Sequence, residues 1–258
     1  MQGVRNHEKE PGVAQRARGL VAVLVGWCFT VLYCAGILAF SIVTWRRWSR
    51  EIVAPVAHAW ARLILALCGV RVIYANASTL RDRRARLVMI NHPSTFEAVW
   101  LALIAPPASM ALGKREFIYY PGFNLAWWAL RLGLIDRSNP EAARRTIAEV
   151  GKQVQRERLS ILMAPEGTRS RDGSLQAFKK GAFHLAMEAG IPIFPVVASG
   201  AYEIWPRHRW VPVPGVVKLW FLPPVSTADW KLEDLDAHID GVHSAMGDAL
   251  RNLEHTAA

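Results

Sequence analysis

The longest apolar stretch of the chain lies near its start. Residues Gly19 to Trp45 include no charged side chain, and about 20 apolar residues are enough for a helix to cross a bilayer. Basic and aromatic residues flank this stretch: Arg16 and Arg18 precede it, and Trp45, Arg46, Arg47, Trp48 and Arg50 follow it. Such residues are typical of the ends of a membrane helix, where they lie among the lipid head groups. The pattern therefore predicts a membrane anchor.

A cleaved signal peptide is the main alternative for this stretch. Its apolar segment usually spans about 7–15 residues, which is shorter than the run observed here, so a retained anchor is favoured. Because positive charge lies on both flanks, charge alone does not determine the orientation of the helix. A re-entrant pair of helices is an open alternative.

The next segment, Glu51 to Val70, predicts a second helix. Apolar side chains recur at the spacing of a helix face, at Val53, Val56, Trp60, Leu63, Ile64 and Leu67. A narrow polar stripe on the other side consists of Glu51, Pro55, His58 and Arg62. Such a helix can lie in the membrane surface or pack against a folded domain, and the pattern is compatible with both.

From Arg71 onward, short apolar runs alternate with helical stretches. The predicted strands are Arg71–Tyr74, Leu87–Ile90, Ser109–Leu112, Leu159–Met163, Ile193–Ala198 and Val216–Phe221, and the predicted helices among them are Glu141–Arg156 and Gly181–Ala189. This alternation indicates an α/β fold with a largely parallel sheet flanked by helices. The polar tail after Asp229 predicts a peripheral helix. The chain thus divides into a basic segment (1–18), membrane-anchoring helices (19–70) and an α/β domain (71–258).

Composition and charge restrict the class of partner. The net charge is +10, and half of this excess falls within the first 50 residues, beside the apolar stretch. This placement suits an anionic lipid surface better than a nucleic acid, and no nucleic-acid-binding motif is present. The three cysteines, Cys28, Cys34 and Cys68, form no CxxC pair, so neither a disulfide framework nor a zinc site is predicted.

The first candidate site directly follows the predicted strand Leu87–Ile90, where α/β proteins place functional residues. It has the sequence Asn91-His92-Pro93-Ser94-Thr95-Phe96-Glu97. An imidazole titrates near neutral pH and can act as a general base, and a carboxylate can orient it. On one straight helix His92 and Glu97 would point about 140° apart. The pair therefore works only if His92 precedes the helix.

A helix start is indicated within this same segment. Ser94 to Glu97 has the S-x-x-E form of a capping box, which predicts Ser94 as the N-cap and Glu97 in the first turn. The pattern also allows a purely structural interpretation, in which Glu97 only caps the helix and His92 only ends the strand. One histidine with one nearby carboxylate leaves both interpretations open.

The second candidate site, Pro165-Glu166-Gly167-Thr168-Arg169-Ser170, directly follows the predicted strand Leu159–Met163. Gly167 allows a sharp backbone turn, and the planar guanidinium of Arg169 suits phosphate oxygens. A polar turn with a solvated arginine is the alternative. If the two strands are parallel neighbours, His92 and Arg169 emerge at the same edge of the sheet. A base beside an anion-binding group describes a site for an alcohol that carries a phosphate. His208, between Arg207 and Arg209, is interpreted as a surface loop residue.

These motifs resemble those of the glycerolipid acyltransferases, a family that includes the 1-acyl-glycerol-3-phosphate acyltransferases. Asn91-His92-x4-Glu97 resembles the first motif and Pro165-Glu166-Gly167-Thr168-Arg169 the third. Lys114-Arg115-Glu116 followed by Gly133-Leu134-Ile135-Asp136-Arg137 resembles the second, and Ile191-Pro192-Ile193-Phe194-Pro195-Val196 the fourth. The order and gaps match the family over roughly residues 85–200.

The resemblance implies a specific reaction. His92 would deprotonate the sn-2 hydroxyl of lysophosphatidic acid while Glu97 orients it, and the acyl group would come from acyl-CoA or acyl carrier protein without a metal or organic cofactor. The phosphate ligands would be Lys114, Arg137 and Arg169, with Glu166, Gly167 and Thr168 shaping the loop. The catalytic domain would lie on the cytoplasmic face of the membrane.

Two positions depart from the family pattern. The family usually has Asp where this chain has Glu97, and Phe where this chain has Ala164. The first change keeps the carboxylate, and the second bears on acyl-chain preference more than on the chemistry. Other acceptors, such as a lyso-ornithine lipid or glycerol 3-phosphate, and a lipid-surface protein without activity are the competing hypotheses.

Overall fold

The computed structural model describes residues 12–45, 53–82, 84–119, 124, 133–135 and 139–255. Its helices are α1 (Val13–Val43), α2 (Val53–Cys68), α3 (Glu97–Ile104), α4 (Pro140–Glu157), α5 (Lys180–Ala189), α6 (Ala201–Ile204) and α7 (Leu235–His255). Its strands are β1 (Val70–Ala75), β2 (Leu87–Ile90), β3 (Ser109–Lys114), β4 (Gly133–Ile135), β5 (Ser160–Met163), β6 (Ile193–Ser199) and β7 (Gly215–Phe221). All six predicted strands are confirmed, and the short strand β4 was not predicted.

The strands form one seven-stranded sheet in the order β1-β7-β6-β2-β5-β3-β4. The five strands from β6 to β4 in this order are parallel to one another. Strand β7 runs antiparallel to β6 and pairs in parallel with β1. The prediction of a largely parallel sheet flanked by helices is confirmed. In such a sheet the loops that follow parallel strands gather at one edge.

Helices cover both faces of the sheet, which explains why the central strands are apolar throughout. Leu87 and Met89 of β2 face a core that α4, α5 and α7 complete. Val88 and Ile90 face a second core that is completed by α2 and α3. Each residue of the central strands β2 and β5 is therefore buried whichever way it points.

The tail of the chain is not peripheral, and that expectation was wrong. Helix α7 buries one side, consisting of Leu235, Ile239, Val242, Met246, Ala249 and Leu253, in the first core. These residues recur at intervals of three and four, as on one face of a helix. The polar residues between them occupy the solvent side, so the composition of the tail concealed its apolar face.

Helices α1 and α2 pack against each other. The buried stripe of α1 consists mostly of small residues: Gly19, Ala22, Gly26, Thr30, Cys34, Ile37 and Ser41. The indole Nε1 of Trp60 on α2 donates a hydrogen bond to Thr30 Oγ1 at 3.0 Å. Helix α2 also packs against α3, and His58 Nε2 lies 3.0 Å from the carbonyl oxygen of Ala105. Of the two environments left open for the second helix, packing against the α/β domain is therefore observed.

The other side of α1 exposes large apolar side chains, namely Leu20, Val21, Leu24, Val25, Trp27, Val31, Leu32, Phe40, Ile42 and Val43. Within the described part of the chain, α1 is the one helix long and apolar enough to cross a membrane, with 31 residues and a mean hydropathy of 2.2 over its most apolar window. A helix of this length extends about 46 Å, more than the hydrocarbon thickness of a bilayer. Its exposed apolar surface suggests membrane association.

Candidate active site

The two candidate loops emerge side by side at one edge of the sheet. Strands β2 and β5 are parallel neighbours, with Val88 opposite Leu162 and Met89 opposite Met163. The loop after β2 carries His92 and the loop after β5 carries Arg169. The backbone N–H of Ser170 donates to the carbonyl oxygen of His92 at 2.9 Å, which links the two loops directly. The expected shared edge is therefore confirmed.

His92 and Glu97 are in contact. Nδ1 of His92 faces Oε2 of Glu97, and their side chains are 20% and 13% exposed. His92 lies in the loop after β2 and Glu97 is the first residue of α3, as the spacing argument required. Because the carboxylate contacts Nδ1, the other ring nitrogen, Nε2, is the one that this pairing leaves to accept a proton. Such an arrangement can serve as a general base with an orienting acid.

The start of α3 differs from the prediction in one respect. The N-cap is Phe96, and its side chain makes no capping bond. Ser94 lies two residues earlier, where its hydroxyl accepts from the Phe96 N–H at 3.2 Å and donates to the Trp205 carbonyl at 3.0 Å. Ser94 therefore holds the loop against a distant segment rather than capping the helix, and Glu97 remains in the first turn.

Glu166 joins the two loops through the backbone. The residue is 2% exposed. Its Oε1 accepts from the His92 N–H at 2.7 Å, and its Oε2 accepts from the Gln176 N–H at 3.0 Å. Burial raises the pKa of Glu166, while the two backbone donors act in the opposite direction. Both carboxylate oxygens are used in this way, so Glu166 positions His92 and does not face a substrate phosphate.

Asn91 has a similar structural role, which the sequence motif did not reveal. Its side chain is 2% exposed and exchanges two hydrogen bonds with the backbone of Ala198, donating at 3.2 Å and accepting at 2.7 Å. Ala198 belongs to β6, the neighbour of β2 on the side away from β5. Asn91 thereby extends the pairing of β2 and β6 up to the residue before His92.

The remaining predicted site residues fall into two groups, those whose side chains the structure describes and those whose side chains it does not. Arg169 Nη1 donates to Thr95 Oγ1 at 2.9 Å, and Gly167 has a φ of 71°, a left-handed conformation that favours glycine. Thr168 is exposed between them. Lys114 ends β3, but its side chain is outside what the structure describes, and Arg137 lies outside the described residues.

A pocket of about 280 Å³ opens beside Arg169. It is lined by Thr95, Arg169, Trp205, Arg207, His208, Arg209 and Trp210. Five of these residues belong to the segment that follows α6, and among them His208 was expected to be only a surface loop residue. The signal in the sequence was a run of basic residues, Arg207, His208 and Arg209, between Trp205 and Trp210.

Metal ligation finds no support in the described part of the chain, where no group of three or more His, Cys, Asp or Glu residues could hold an ion. The contact of His92 with Glu97 offers proton transfer, and the guanidinium of Arg169 offers anion binding. An alcohol with a nearby anionic group is the kind of substrate that such a site can activate.

Comparison with known proteins agrees with this chemistry. The sequence model of the family described as Acyltransferase matches residues 71–199. The chain is 31% identical to the 1-acyl-sn-glycerol-3-phosphate acyltransferase of Limnanthes douglasii, over 97% of this chain and 92% of that protein. It is 34% identical to the protein of that name from Escherichia coli K12, over 72% of this chain and 76% of that protein.

A solved structure has the same fold. The crystal structure of the 1-acyl-sn-glycerophosphate acyltransferase from Thermotoga maritima superposes with a TM-score of 0.77, covering 93% of this chain and 97% of that one. Sequence identity over the superposition is 21%. The comparison extends beyond the α/β domain and includes most of the N-terminal helices.

Proposed function

This chain belongs to the acyltransferase family, and we propose that it transfers a fatty acyl group to 1-acyl-glycerol 3-phosphate, giving phosphatidic acid. Relatives named for this acceptor match most of the chain at 31–34% identity. In that acceptor, carbon 1 carries an ester and carbon 3 a phosphate, so the hydroxyl on carbon 2 is the one that reacts. The enzyme is a 1-acylglycerol-3-phosphate O-acyltransferase.

The observation that carries the mechanism is the contact of His92 Nδ1 with Glu97 Oε2. It orients the ring so that Nε2 can accept the proton of the acceptor hydroxyl. A lipid-binding protein without activity has no need for this pair, held in place by the buried Glu166. General-base help of this kind contributes about 10²–10⁴-fold in rate.

The reaction balances with His92 as the single proton carrier. Nε2 takes the hydroxyl proton as the oxygen attacks the thioester carbonyl, and Glu97 stabilises the imidazolium. Collapse of the tetrahedral intermediate breaks the carbon–sulfur bond, and the departing thiolate takes the hydroxyl proton from the imidazolium of His92. The products are the new ester and a free thiol. The geometry of β2 and β5 supports Arg169 as a phosphate ligand, and we include Lys114 and Arg137 by family resemblance.

The reaction needs an acyl thioester as the donor and a membrane lipid as the acceptor, and both bear on where the protein acts. An acyl thioester of coenzyme A or acyl carrier protein supplies the acyl group, and the acceptor comes from the bilayer. We propose that residues 19–70 hold the domain of residues 71–258 on the cytoplasmic face, where such thioesters are available. Carbonate washing should leave the protein in the membrane fraction; its release would indicate attachment by charge alone.

The decisive experiment measures acyl transfer to lysophosphatidic acid from labelled acyl-CoA and from labelled acyl carrier protein. It compares membranes that contain the wild type, His92→Ala or His184→Ala, the last being an exposed histidine of α5. We expect phosphatidic acid from the wild type and His184→Ala, and a loss of about 10²-fold or more in His92→Ala. Equal activity in His92→Ala would contradict the mechanism, and product from lyso-ornithine lipid or glycerol 3-phosphate alone would contradict the acceptor.

A further inference from the structure

The segment that follows α6 is fixed to the catalytic loop. The carbonyl oxygen of Trp205 accepts from the Thr95 N–H at 2.9 Å and from Ser94 Oγ at 3.0 Å. Trp205 Nε1 donates to the carbonyl oxygen of Arg209 at 3.0 Å, and Arg209 Nη1 donates to that of Glu203 at 2.6 Å. These bonds give the Trp205–Trp210 segment, which we name the basic loop, a defined conformation beside α3.

The basic loop brings positive charge to the pocket that already contains Arg169. Arg207, His208 and Arg209 line it together with Arg169, and none of the described residues that line it is acidic. Three of the lining side chains are guanidinium groups and none of the described lining residues is a carboxylate, so the lining favours an anion over a cation. Guanidinium groups are suited to phosphate because they donate two parallel hydrogen bonds to its oxygens.

The position of the pocket matches the geometry of the acceptor. In 1-acyl-glycerol 3-phosphate, the reacting hydroxyl and the phosphate are on adjacent carbons, so a phosphate site must adjoin the base. Thr95 lies in the loop between His92 and Glu97 and also lines the pocket. The pocket therefore adjoins the loop that carries the base, where Arg169 Nη1 donates to Thr95 Oγ1.

We propose that the pocket between Arg169 and the basic loop is the binding site for the phosphate monoester of the acceptor, and that Arg207 is a phosphate ligand there. The inference rests on the proposed function and adds a residue outside the four family motifs. Trp210, 92% exposed at the pocket, presents an amphipathic ring that suits a ligand with a charged head and an apolar tail. Arg209 is a positioning residue, since its guanidinium holds the backbone of α6.

The test is the steady-state kinetics of Arg207→Gln, Arg207→Lys and a matched control, Arg156→Gln. Arg156 is exposed near the end of α4, which precedes β5, and so lies at the opposite edge of the sheet. The acceptors are lysophosphatidic acid and 1-monoacylglycerol, which lacks the phosphate. We expect Arg207→Gln to raise KM for lysophosphatidic acid at least tenfold with little change in kcat. The KM for the acyl donor should stay unchanged. The kcat and KM for 1-monoacylglycerol should also stay unchanged, because this acceptor has no phosphate to bind. Arg207→Lys should restore part of the affinity, and Arg156→Gln should match the wild type.

Three results would overturn the inference. An unchanged KM for lysophosphatidic acid in Arg207→Gln would remove Arg207 from the site. A rise confined to KM for acyl-CoA would assign the pocket to a phosphate of the donor. Reduced sedimentation with phosphatidylglycerol vesicles, with equal losses for both acceptors, would assign the basic loop to the bilayer surface. If the wild type did not acylate lysophosphatidic acid, the proposed function itself would fail, which is a separate outcome.

Discussion

The backbone N–H of His92 donates to the buried carboxylate of Glu166 at 2.7 Å. This bond ties the loop of the base to the loop that follows β5. The second oxygen of Glu166 accepts from the N–H of Gln176, so one carboxylate holds three backbone segments together. The third motif thus acts on the first through a side chain that is shielded from solvent.

We expect Glu166→Gln to reduce both stability and activity. The amide of glutamine supplies one acceptor, and its NH2 group would face a backbone donor. An unsatisfied buried donor costs about 1–3 kcal/mol, and the loop of His92 would lose its fixed position. Thermal unfolding of the detergent-solubilised enzyme and kcat measure the two effects, with Glu149→Gln on the exposed side of α4 as the control. Wild-type values for both quantities in Glu166→Gln would contradict this role.

The contribution of Glu166 to stability should depend on pH. Burial raises its pKa above the ordinary value of 4.5, so folding favours the protonated form. The amount that Glu166 adds to the free energy of unfolding is therefore complete below pH 4.5. It is lost as the pH rises through the pKa of the folded state, by at most about 1.4 kcal/mol per pH unit. The difference in Tm between wild type and Glu166→Gln should be larger at pH 5 than at pH 8. A difference that grows toward pH 8 would mean that the backbone donors outweigh burial.

Glu97 should be required as a carboxylate. Glu97→Gln removes the negative charge beside Nδ1 and allows the wrong tautomer, so we expect kcat to fall by about 10²-fold or more. Glu97→Asp keeps the charge with a shorter reach and should retain much more activity than the glutamine variant. Rates are compared at equal amounts of protein in the membrane. Equal activity in Glu97→Gln and wild type would show that His92 needs no orienting acid.

The docking of α1 can be tested with a pair of glycines. A Cβ at Gly19 would lie 2.6 Å from the carbonyl oxygen of Pro212, whereas one at Gly36 would meet nothing within 4 Å. Alanine favours a helix by about 1 kcal/mol over glycine, so Gly36→Ala should be neutral or stabilising. Gly19→Ala should lower Tm and activity because α1 must move away from the segment after the basic loop. Identical behaviour of the two variants would contradict close packing at Gly19.

Much of the α/β architecture could be predicted from local patterns. Buried strands such as Leu87–Ile90 are short apolar runs, and the spacing of His92 and Glu97 already required a helix start between them. The three-residue strand β4 carries too little pattern to be recognised. The polar composition of the tail led to the expectation of a peripheral helix. One face of α7 is nevertheless buried, because it packs against a sheet formed by distant parts of the chain.

The sequence by itself determined the elements, the family motifs, the apolar helix and the residue types of the site, because these depend on neighbours along the chain. Only the tertiary structure decided which loops meet. The bond between His92 and Glu166 spans 74 positions, the bond between Ser94 and Trp205 spans 111, and no local preference encodes either pairing. The order of the strands determines both contacts: β2 lies between β5 and β6, so the segments that follow these strands converge on the base.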